Sequence, residues 1–265
     1  MSNQELEKRG PSPVDRLKTV LASPSVEQQF RNALGDSASL FMASLIDIYT
    51  GDKSLQECNP NAIAMQALKA ATLKLPINKS LGFAYIVPYD GQPQMQIGYK
   101  GFIQLAIRTG QYRHIHADIV YDGELQRVDK LTGEPDLNGV AKSTEVIGAF
   151  AHLETVNGFL KTVFWSLDRI NAHAKRFSKS FVSGKKKTPW ITDPDAMRIK
   201  TVLKALLSKY GIMSVEMISA FGADEEDRTP EAQLEDAVEE ALENGALVDI
   251  EIRENSDAIP EEPDF

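Results

Sequence analysis

The spacing of apolar residues divides the chain into a helical first quarter and a middle that forms sheet. Up to residue 75, apolar residues recur every three or four positions, the period of an amphipathic helix, and prolines and glycines interrupt the pattern. Residues 1–13 place one glycine and two prolines among charged residues, so we predict a flexible arm there. After it we predict four helices, over residues 14–21, 26–34, 37–49 and 61–75.

Beyond residue 82 the apolar period shortens to two, which is typical of strands with one face in the core. Asp90-Gly91 and Asn157-Gly158 each stand between two alternating segments, and such dipeptides favour β-hairpins. We predict one antiparallel sheet from strands at residues 83–89, 95–99, 112–121, 125–129, 145–155 and 159–166. The strand over residues 112–121 is predicted to turn one face to the core, with Ile115, Ala117 and Ile119, and the other to water, with His114, His116 and Asp118.

Helical spacing returns between and after these strands. The longest helical pattern follows Asp193 and Pro194, a favourable N-cap and first residue, and Gly211 ends it. Its leucines and isoleucine fall on one side, while Arg198, Lys200 and Lys204 lie on the shoulders of that stripe. We predict helices over residues 100–109, 167–177, 195–210 and 230–242.

Length and composition are those of an ordinary globular protein with a small appendage. The chain has 265 residues, of which 42% are hydrophobic and 25% are charged. We divide it into an N-terminal arm with helices (residues 1–34), a core (residues 35–222) and an acidic tail (residues 223–265).

The acidic and basic residues are segregated along the chain, so the net charge of the whole chain is misleading. The net charge is −9, but residues 223–265 alone hold 17 acidic residues and two arginines, a net charge of −15. Residues 1–222 therefore carry a net charge of +6, and residues 161–209 carry 12 basic and three acidic residues, a net charge of +9. A basic body and an acidic tail indicate a polyanionic partner for the body.

Aromatic residues are interspersed among the cations of the basic segment 161–209. Lysines attract phosphates through counterion release, and aromatic rings stack on unpaired bases. Phe177, Phe181 and Trp190 are candidates for stacking, although burial in a core is an equally good interpretation of the two phenylalanines. The cations of the long helix have no glutamate four residues before them, which favours a nucleic-acid face over an ordinary solvated face.

Two enzymatic alternatives are weaker. The lysines after Gly184 do not make a nucleotide-binding phosphate loop, because Lys179 stands where the loop needs a glycine and no Ser or Thr follows Lys185 directly. A metal-dependent nuclease could use His114, His116 and Asp118, or else Asp193 and Asp195, but capping explains the two helix-start aspartates better. A duplex-reading regulator lacks the expected helix-turn-helix pattern.

Cys58 is the single cysteine, so no internal disulfide is expected. The N-terminus has no signal-peptide pattern, and no apolar run is as long as a membrane span. We therefore expect a cytoplasmic protein with no membrane association.

Two blocks of the sequence form a recognisable pattern. The first block consists of Leu75-Pro76, the hairpin Phe83–Tyr99, Gly98-Tyr99-Lys100-Gly101, and Arg108 with Gly110. The second consists of Pro189-Trp190, Asp195, Met197, Lys200, Thr201 and Lys204. Together these blocks resemble the RecT family of phage single-strand annealing proteins (recombinases). The resemblance covers residues 35–220, and only the acidity of the tail is recognisable beyond it.

The resemblance implies a non-enzymatic protein that anneals single-stranded DNA without ATP, metal or other cofactor in homologous recombination. It implies a homo-oligomer, a ring or a helical filament, that holds single-stranded DNA and then the annealed duplex in a basic groove, in the cytoplasm of a bacterial host. It implies an α+β fold: N-terminal helices, an antiparallel sheet built from β-hairpins and crossed by a long helix, and a small acidic helical C-terminal module. That module would bind a 5′–3′ exonuclease and the host single-strand-binding protein.

The DNA-binding residues expected from the basic pattern and the resemblance together lie in or near the two blocks and in the segment 175–187. They are Lys69, Tyr99, Lys100, Arg108, Arg113, Lys175, Arg176, Lys179, Lys185, Lys186, Lys187, Trp190, Arg198, Lys200 and Lys204. The acidic tail has two physical interpretations: it docks basic partners, or it mimics DNA and competes for the groove.

Overall fold

The computed structural model describes residues 10–89, 91–184 and 188–225, and it confirms an α+β fold. The lysine triplet 185–187, the predicted helix over residues 230–242 and most of the predicted N-terminal arm lie outside the described residues. The helices are α1 (Pro13–Leu21), α2 (Pro24–Leu34), α3 (Ala38–Gly51), α4 (Lys53–Gln56), α5 (Pro60–Thr72), α6 (Tyr99–Arg108), α7 (Leu167–Phe177), α8 (Lys179–Val182), α9 (Pro189–Thr192), α10 (Pro194–Tyr210) and α11 (Val215–Glu225). None of these described helices has both the length and the apolar composition to cross a bilayer.

The strands among the described residues form three antiparallel sheets, so the prediction of one antiparallel sheet is wrong. Alternation marks the buried face of each strand, but it does not say which strands pair. The strands are β1 (Ala84–Tyr89), β2 (Gln92–Ile97), β3 (Tyr112–Tyr121), β4 (Arg127–Val128), β5 (Pro135–Asp136), β6 (Val146–Thr155) and β7 (Leu160–Ser166). The sheets are β1–β2, β3–β6–β7 and β4–β5.

The β1–β2 hairpin is separated from the other strands because its apolar face packs against helices instead. Ile86 and Met95 lie opposite each other in the register and are buried, and β2 packs on α5 and α11. The other face carries Tyr85 opposite Gln96 and Val87 opposite Gln94, all half-buried.

Helix α6 begins immediately after this hairpin, at two closely packed glycines. A Cβ atom on Gly98 would lie 2.2 Å from the carbonyl oxygen of Gly82, and one on Gly101 would lie 2.3 Å from that of Phe83. Only glycine therefore fits at both positions, and the pair sets the distance between α6 and the chain that enters β1.

Helix α10 crosses the three-stranded sheet, as the family resemblance implies. It packs on β3, β6 and β7, and its buried stripe, spaced at the helical period, joins the main core. The stripe consists of Ile199, Val202, Leu203, Leu206 and Leu207. The two faces of β3 are also confirmed, since Ala117 and Ile119 are buried whereas His114, His116 and Asp118 are exposed.

Both ends of the described chain contribute to that core. Leu17 of α1 and Phe30 of α2 are fully buried in it. Helix α11, which the sequence pattern does not predict, buries Met217, Ala220 and Phe221 there. The boundaries at residues 34 and 222 stay predictions.

Candidate nucleic-acid interface

A second stripe of α10 faces outward and forms one wall of a groove. Asp193 caps the helix, because its side chain accepts a hydrogen bond of 3.3 Å from the backbone N–H of Ala196. From this fixed start, the outward stripe follows at intervals of three or four residues. It consists of Met197, Lys200, Thr201, Lys204, Ala205, Ser208 and Lys209.

The opposite wall of this groove is formed by α7, and the groove continues over β7. It comprises two clefts, of about 340 and 370 Å³, that share Ala205 and Lys209; we call them together the α7–α10 groove. Besides the α10 stripe, the first cleft is lined by Gln96, His173, Ala174, Phe177, Ser178 and Trp190. The second is lined by Val128, Lys130, Leu131, Thr132, Gly133, Lys161, Val163, Phe164, Trp165, Arg169 and Tyr210.

The charge of the groove has one sign. Neither Asp nor Glu is among the described residues that line its two clefts. Lys161 Nζ lies 3.0 Å from a carboxylate oxygen of Glu134, which lies outside the lining. A concave surface lined by cations concentrates their field, and such a field favours phosphate groups. The cations lining the groove are Lys130, Lys161, Arg169, Lys200, Lys204 and Lys209.

Aromatic rings form a row along the α7 wall. The ring of His173 lies between those of Trp165 and Phe177, at centroid distances of 5.4 and 4.5 Å. The guanidinium of Arg169 lies 4.2 Å from the Trp165 ring centroid, and that of Arg176 lies 4.9 Å from the Phe177 ring centroid. Rings next to phosphate-binding cations are the arrangement that holds single-stranded nucleic acid by stacking.

Trp190 lies at one end of the groove and is held by its neighbours. Its indole meets the Phe181 ring edge-on, at a centroid distance of 5.1 Å and an interplanar angle of 82°. Its Nε1–H donates a hydrogen bond of 3.1 Å to the hydroxyl of Ser178. These contacts give Trp190 a packing role, joining the short helix α9 to the end of α7, and its predicted stacking on bases stays a prediction.

Some of the predicted DNA-binding residues come together in this groove and others do not. Lys200, Lys204 and Trp190 line it, and Lys175 and Arg176 are exposed in the last turn of the α7 wall. The side chain of Lys179 and all of Lys185, Lys186 and Lys187 lie outside the described residues.

The remaining predicted residues lie away from the groove lining. Arg198 pairs with Asp195 at 2.7 Å, and Arg113 pairs with Glu154 at 2.7 Å. Lys69 is half-buried in α5, and Tyr99 and Lys100 begin α6. Their contacts with DNA stay predictions.

Arg108 has a structural contact that the sequence did not suggest. Its guanidinium donates hydrogen bonds of 2.8 and 2.9 Å to the backbone carbonyls of Leu73 and Lys74, at the end of α5. These carbonyls follow the last helical turn, and Lys74 has a positive φ of 52°. Arg108 therefore ties α6 to the C-terminus of α5.

The groove also includes residues that the sequence prediction omitted, namely Lys130, Lys161, Trp165, Arg169, His173 and Lys209. Lys161, Arg169 and Lys209 lie within the segment of net charge +9, so the charge count alone could have added them. Lys130 could not be found that way, because the tertiary fold brings the β4–β5 loop to the groove.

A second concave region lies over the outer face of the β1–β2 hairpin; we call it the hairpin cleft. Its two adjoining parts, of about 500 and 830 Å³, are both lined by Tyr85, Val87, Tyr89 and Lys79. Gln94 Oε1 and Gln96 Nε2 are buried beside it and have no hydrogen-bond partner among the described residues. Burial and then the nearby carboxylate of Asp193 raise the pKa of Tyr85.

The hairpin cleft is mixed in charge. Asp52 and Glu57 line one part, and Asp193 and Asp195 line the other. Lys79 Nζ lies 2.7 Å from a carboxylate oxygen of Asp52. Burial alone would raise the pKa of Asp52, but the hydrogen bond and charge of Lys79, with two backbone N–H donors, hold the pKa below its ordinary 3.8.

The carboxylates considered for a nuclease have other partners. Asp193 caps α10 and Asp195 pairs with Arg198. His116 lies against the Phe150 ring, and His114 Nε2 is 3.9 Å from Glu154. In residues 10–89, 91–184 and 188–225, no group of three or more His, Cys, Asp or Glu side chains is arranged to hold a metal ion. Cys58 is buried, and burial raises the pKa of its thiol.

Comparison with known proteins confirms the resemblance seen in the sequence and extends it beyond residue 220, into the acidic tail. The sequence profile of the RecT family matches residues 39–239. The uncharacterized protein YqaK of Bacillus subtilis is 46% identical over 213 residues, which cover 80% of this chain and 73% of YqaK. Protein RecT of Escherichia coli is 28% identical over 222 residues, which cover 77% of this chain and 78% of that protein.

Proposed function

The chain belongs to the RecT family of DNA recombination and single-strand annealing proteins, and on this premise we propose that it binds single-stranded DNA along the α7–α10 groove and pairs it with a complementary strand without ATP. The observation that supports this most directly is the acid-free row of lysines on α10 opposite the row of aromatic rings on α7 and β7.

In the proposed mechanism, the α10 lysines bind phosphates while His173 and Phe177 offer faces to the bases. Lys200, Lys204 and Lys209 follow one another along about 14 Å of helix, so together they can follow a strand rather than a single phosphate. Binding of this kind does not depend on base identity, because phosphates carry no sequence information and every base offers a face for stacking.

Neutralising the phosphates of the first strand removes the repulsion that slows the approach of the second. The free energy of annealing then comes from base pairing and stacking, and no nucleotide cofactor is required. We propose that subunits line up along the first strand as a ring or helical filament, and that the annealed duplex stays bound.

The protein partners are inferred from the family and not from the geometry of the groove. We propose that a 5′–3′ exonuclease and the host single-strand-binding protein bind the C-terminal region, and that the protein acts in the bacterial cytoplasm. This proposal is tested by copurification. We expect each partner to copurify with the full chain and not with a chain in which residues 226–265 are replaced.

The central test is annealing in EDTA without ATP. Complementary oligonucleotides, one labelled with a donor dye and one with an acceptor, are mixed with the full chain, and energy transfer reports pairing. We expect faster pairing than without protein, with both strands intact on a denaturing gel. Pairing at the protein-free rate would overturn the proposal, and Mg²⁺-dependent shortening of the strands would favour the nuclease.

A further inference from the structure

The last described helix ends beside the basic groove. Phe221 of α11 packs against Phe102, with the ring centroids 5.2 Å apart. The same Phe221 ring lies 5.6 Å from the ammonium of Lys204, one of the groove lysines. Glu225, where the described chain ends, is about one helical turn beyond Phe221. The described part of the chain therefore ends about one helical turn from a residue that contacts a lysine of the α7–α10 groove.

These following residues have the charge that the groove lacks. Residues 226–265 contain 15 acidic residues and two arginines, a net charge of −13. The described lining of the groove contains six lysines and arginines and no acid. The acidic segment is therefore complementary in charge to the groove, and DNA, which is also a polyanion, is complementary to it in the same way.

The length of this segment does not limit its reach. Forty residues can span more than 100 Å when extended, whereas the lysines from 200 to 209 cover about 14 Å. Because the segment is covalently attached next to the groove, its effective concentration there is on the order of millimolar. Even a weak electrostatic contact would then be populated.

We propose that the acidic segment 226–265 occupies the α7–α10 groove of its own chain when DNA is absent, and competes with DNA for Lys200, Lys204 and Lys209. The choice of DNA as competitor rests on the proposed function, but occupancy of the groove by the segment does not.

Competition of this kind has a defined dependence on salt. The apparent dissociation constant for DNA is the intrinsic one divided by the fraction of chains whose groove is open. Salt screens the contact between the segment and the groove, so the open fraction approaches one at high salt. Inhibition by the segment should therefore be strong at low salt and disappear at high salt.

The first experiment compares three full-length chains: the natural sequence, a variant with every Asp and Glu in 226–265 replaced by Asn and Gln, and a variant with that segment scrambled at unchanged composition. Binding to a fluorescent thymidine oligonucleotide is measured by anisotropy from 50 to 500 mM NaCl. We expect the neutral variant to bind on the order of ten-fold tighter at 50 mM and equally at 500 mM, and the scrambled variant to match the natural chain. Equal affinity of natural and neutral chains at every salt concentration would overturn the inference.

The second experiment involves no DNA. A fluorescent peptide of residues 226–265 is titrated with the full-length neutral variant, with and without Lys200→Ala and Lys204→Ala. We expect binding at 50 mM NaCl that the two alanines weaken at least five-fold. If the peptide binds both proteins with equal affinity, the segment binds outside the groove and the inference is wrong. If the peptide binds neither protein, the inference is also wrong. If the peptide binds in the groove while no chain binds DNA, the proposed function and the competition with DNA both fail, and only the occupancy of the groove by the segment stands.

Discussion

The α7–α10 groove and the hairpin cleft are both concave and both contain lysines and aromatic rings, yet they differ in the arrangement of charge. The hairpin cleft is the more spacious, but Asp52 neutralises its Lys79, and Asp193 and Asp195 line its other part. The groove is smaller, and its described lining contains no carboxylate. The comparison teaches that charge of one sign along a helix, rather than cavity volume, identifies a surface suited to a polyanion.

The largest effect is expected from removing two groove lysines. In the full-length variant whose residues 226–265 are neutralised, Lys200→Ala with Lys204→Ala should lower the affinity for a thymidine oligonucleotide about 25-fold at about 0.1 M salt. The slope of log affinity against log salt should become shallower by about 1.4, because two phosphate contacts are lost. Anisotropy titrations across salt measure both. Lys18→Ala with Lys53→Ala is the matched control, since these exposed lysines of α1 and α4 do not line the groove. An unchanged slope in the groove variant would exclude α10 from DNA binding.

A smaller effect of different character is expected from the aromatic row. Phe177→Leu keeps an apolar side chain but removes the ring, so we expect a loss of about 1–2 kcal/mol in binding, roughly ten-fold, with the salt slope unchanged. The same titrations measure it, and a thermal midpoint close to that of the natural chain controls for folding. If the slope of log affinity against log salt becomes shallower in this variant, the Phe177 ring acts by positioning the Arg176 guanidinium for a phosphate contact instead.

Arg108→Ala tests a residue outside both regions. We expect it to lower the free energy of unfolding by about 1–2 kcal/mol, because the α5 carbonyls of Leu73 and Lys74 lose their hydrogen bonds. Urea denaturation measures this, and Arg31→Ala, which removes an exposed ion pair on α2, is the control with a change near zero. A shallower salt slope for DNA binding without loss of stability would instead make Arg108 a phosphate contact.

The smallest effect should come from the hairpin cleft. Because the pKa of Asp52 is lowered in the folded chain, its carboxylate stabilises the fold above the ordinary value of 3.8, and this is lost as pH falls through the lowered pKa. Asp52→Asn should therefore cost less than about 1 kcal/mol at pH 7 and have little effect near pH 2. Urea midpoints at pH 7 and in acid measure the difference. A larger difference at low pH than at pH 7 would contradict this sign.

The sequence predicted local structure better than assembly. The strand Tyr112–Tyr121 and the helix Leu167–Phe177 have the predicted bounds, because period, turn residues and the Ser166 cap are all local signals. The separation of the hairpin from the main sheet, and helix α11, were not predicted, because each depends on packing between distant segments.

The same division holds for the candidate site. Lys200 and Lys204 could be predicted because a helical period places them beside an apolar stripe, and they line the groove. The contact of Arg108 with α5 could not, since its acceptors lie 34 and 35 residues earlier in the chain. Lys130 likewise reaches the groove only through the β4–β5 loop.

Gly98 and Gly101 bear on how such proteins can be recognised in genomes. Both glycines of the Gly98-Tyr99-Lys100-Gly101 segment are required by backbone contacts within 2.3 Å of a would-be Cβ atom, so the segment reports a packing geometry between α6 and the entry to β1. A search by that segment alone would retrieve chains that share the scaffold whatever their activity. Under the proposed function, the charges at the positions of Lys200, Lys204 and Lys209 would be the better guide to whether a retrieved chain binds nucleic acid.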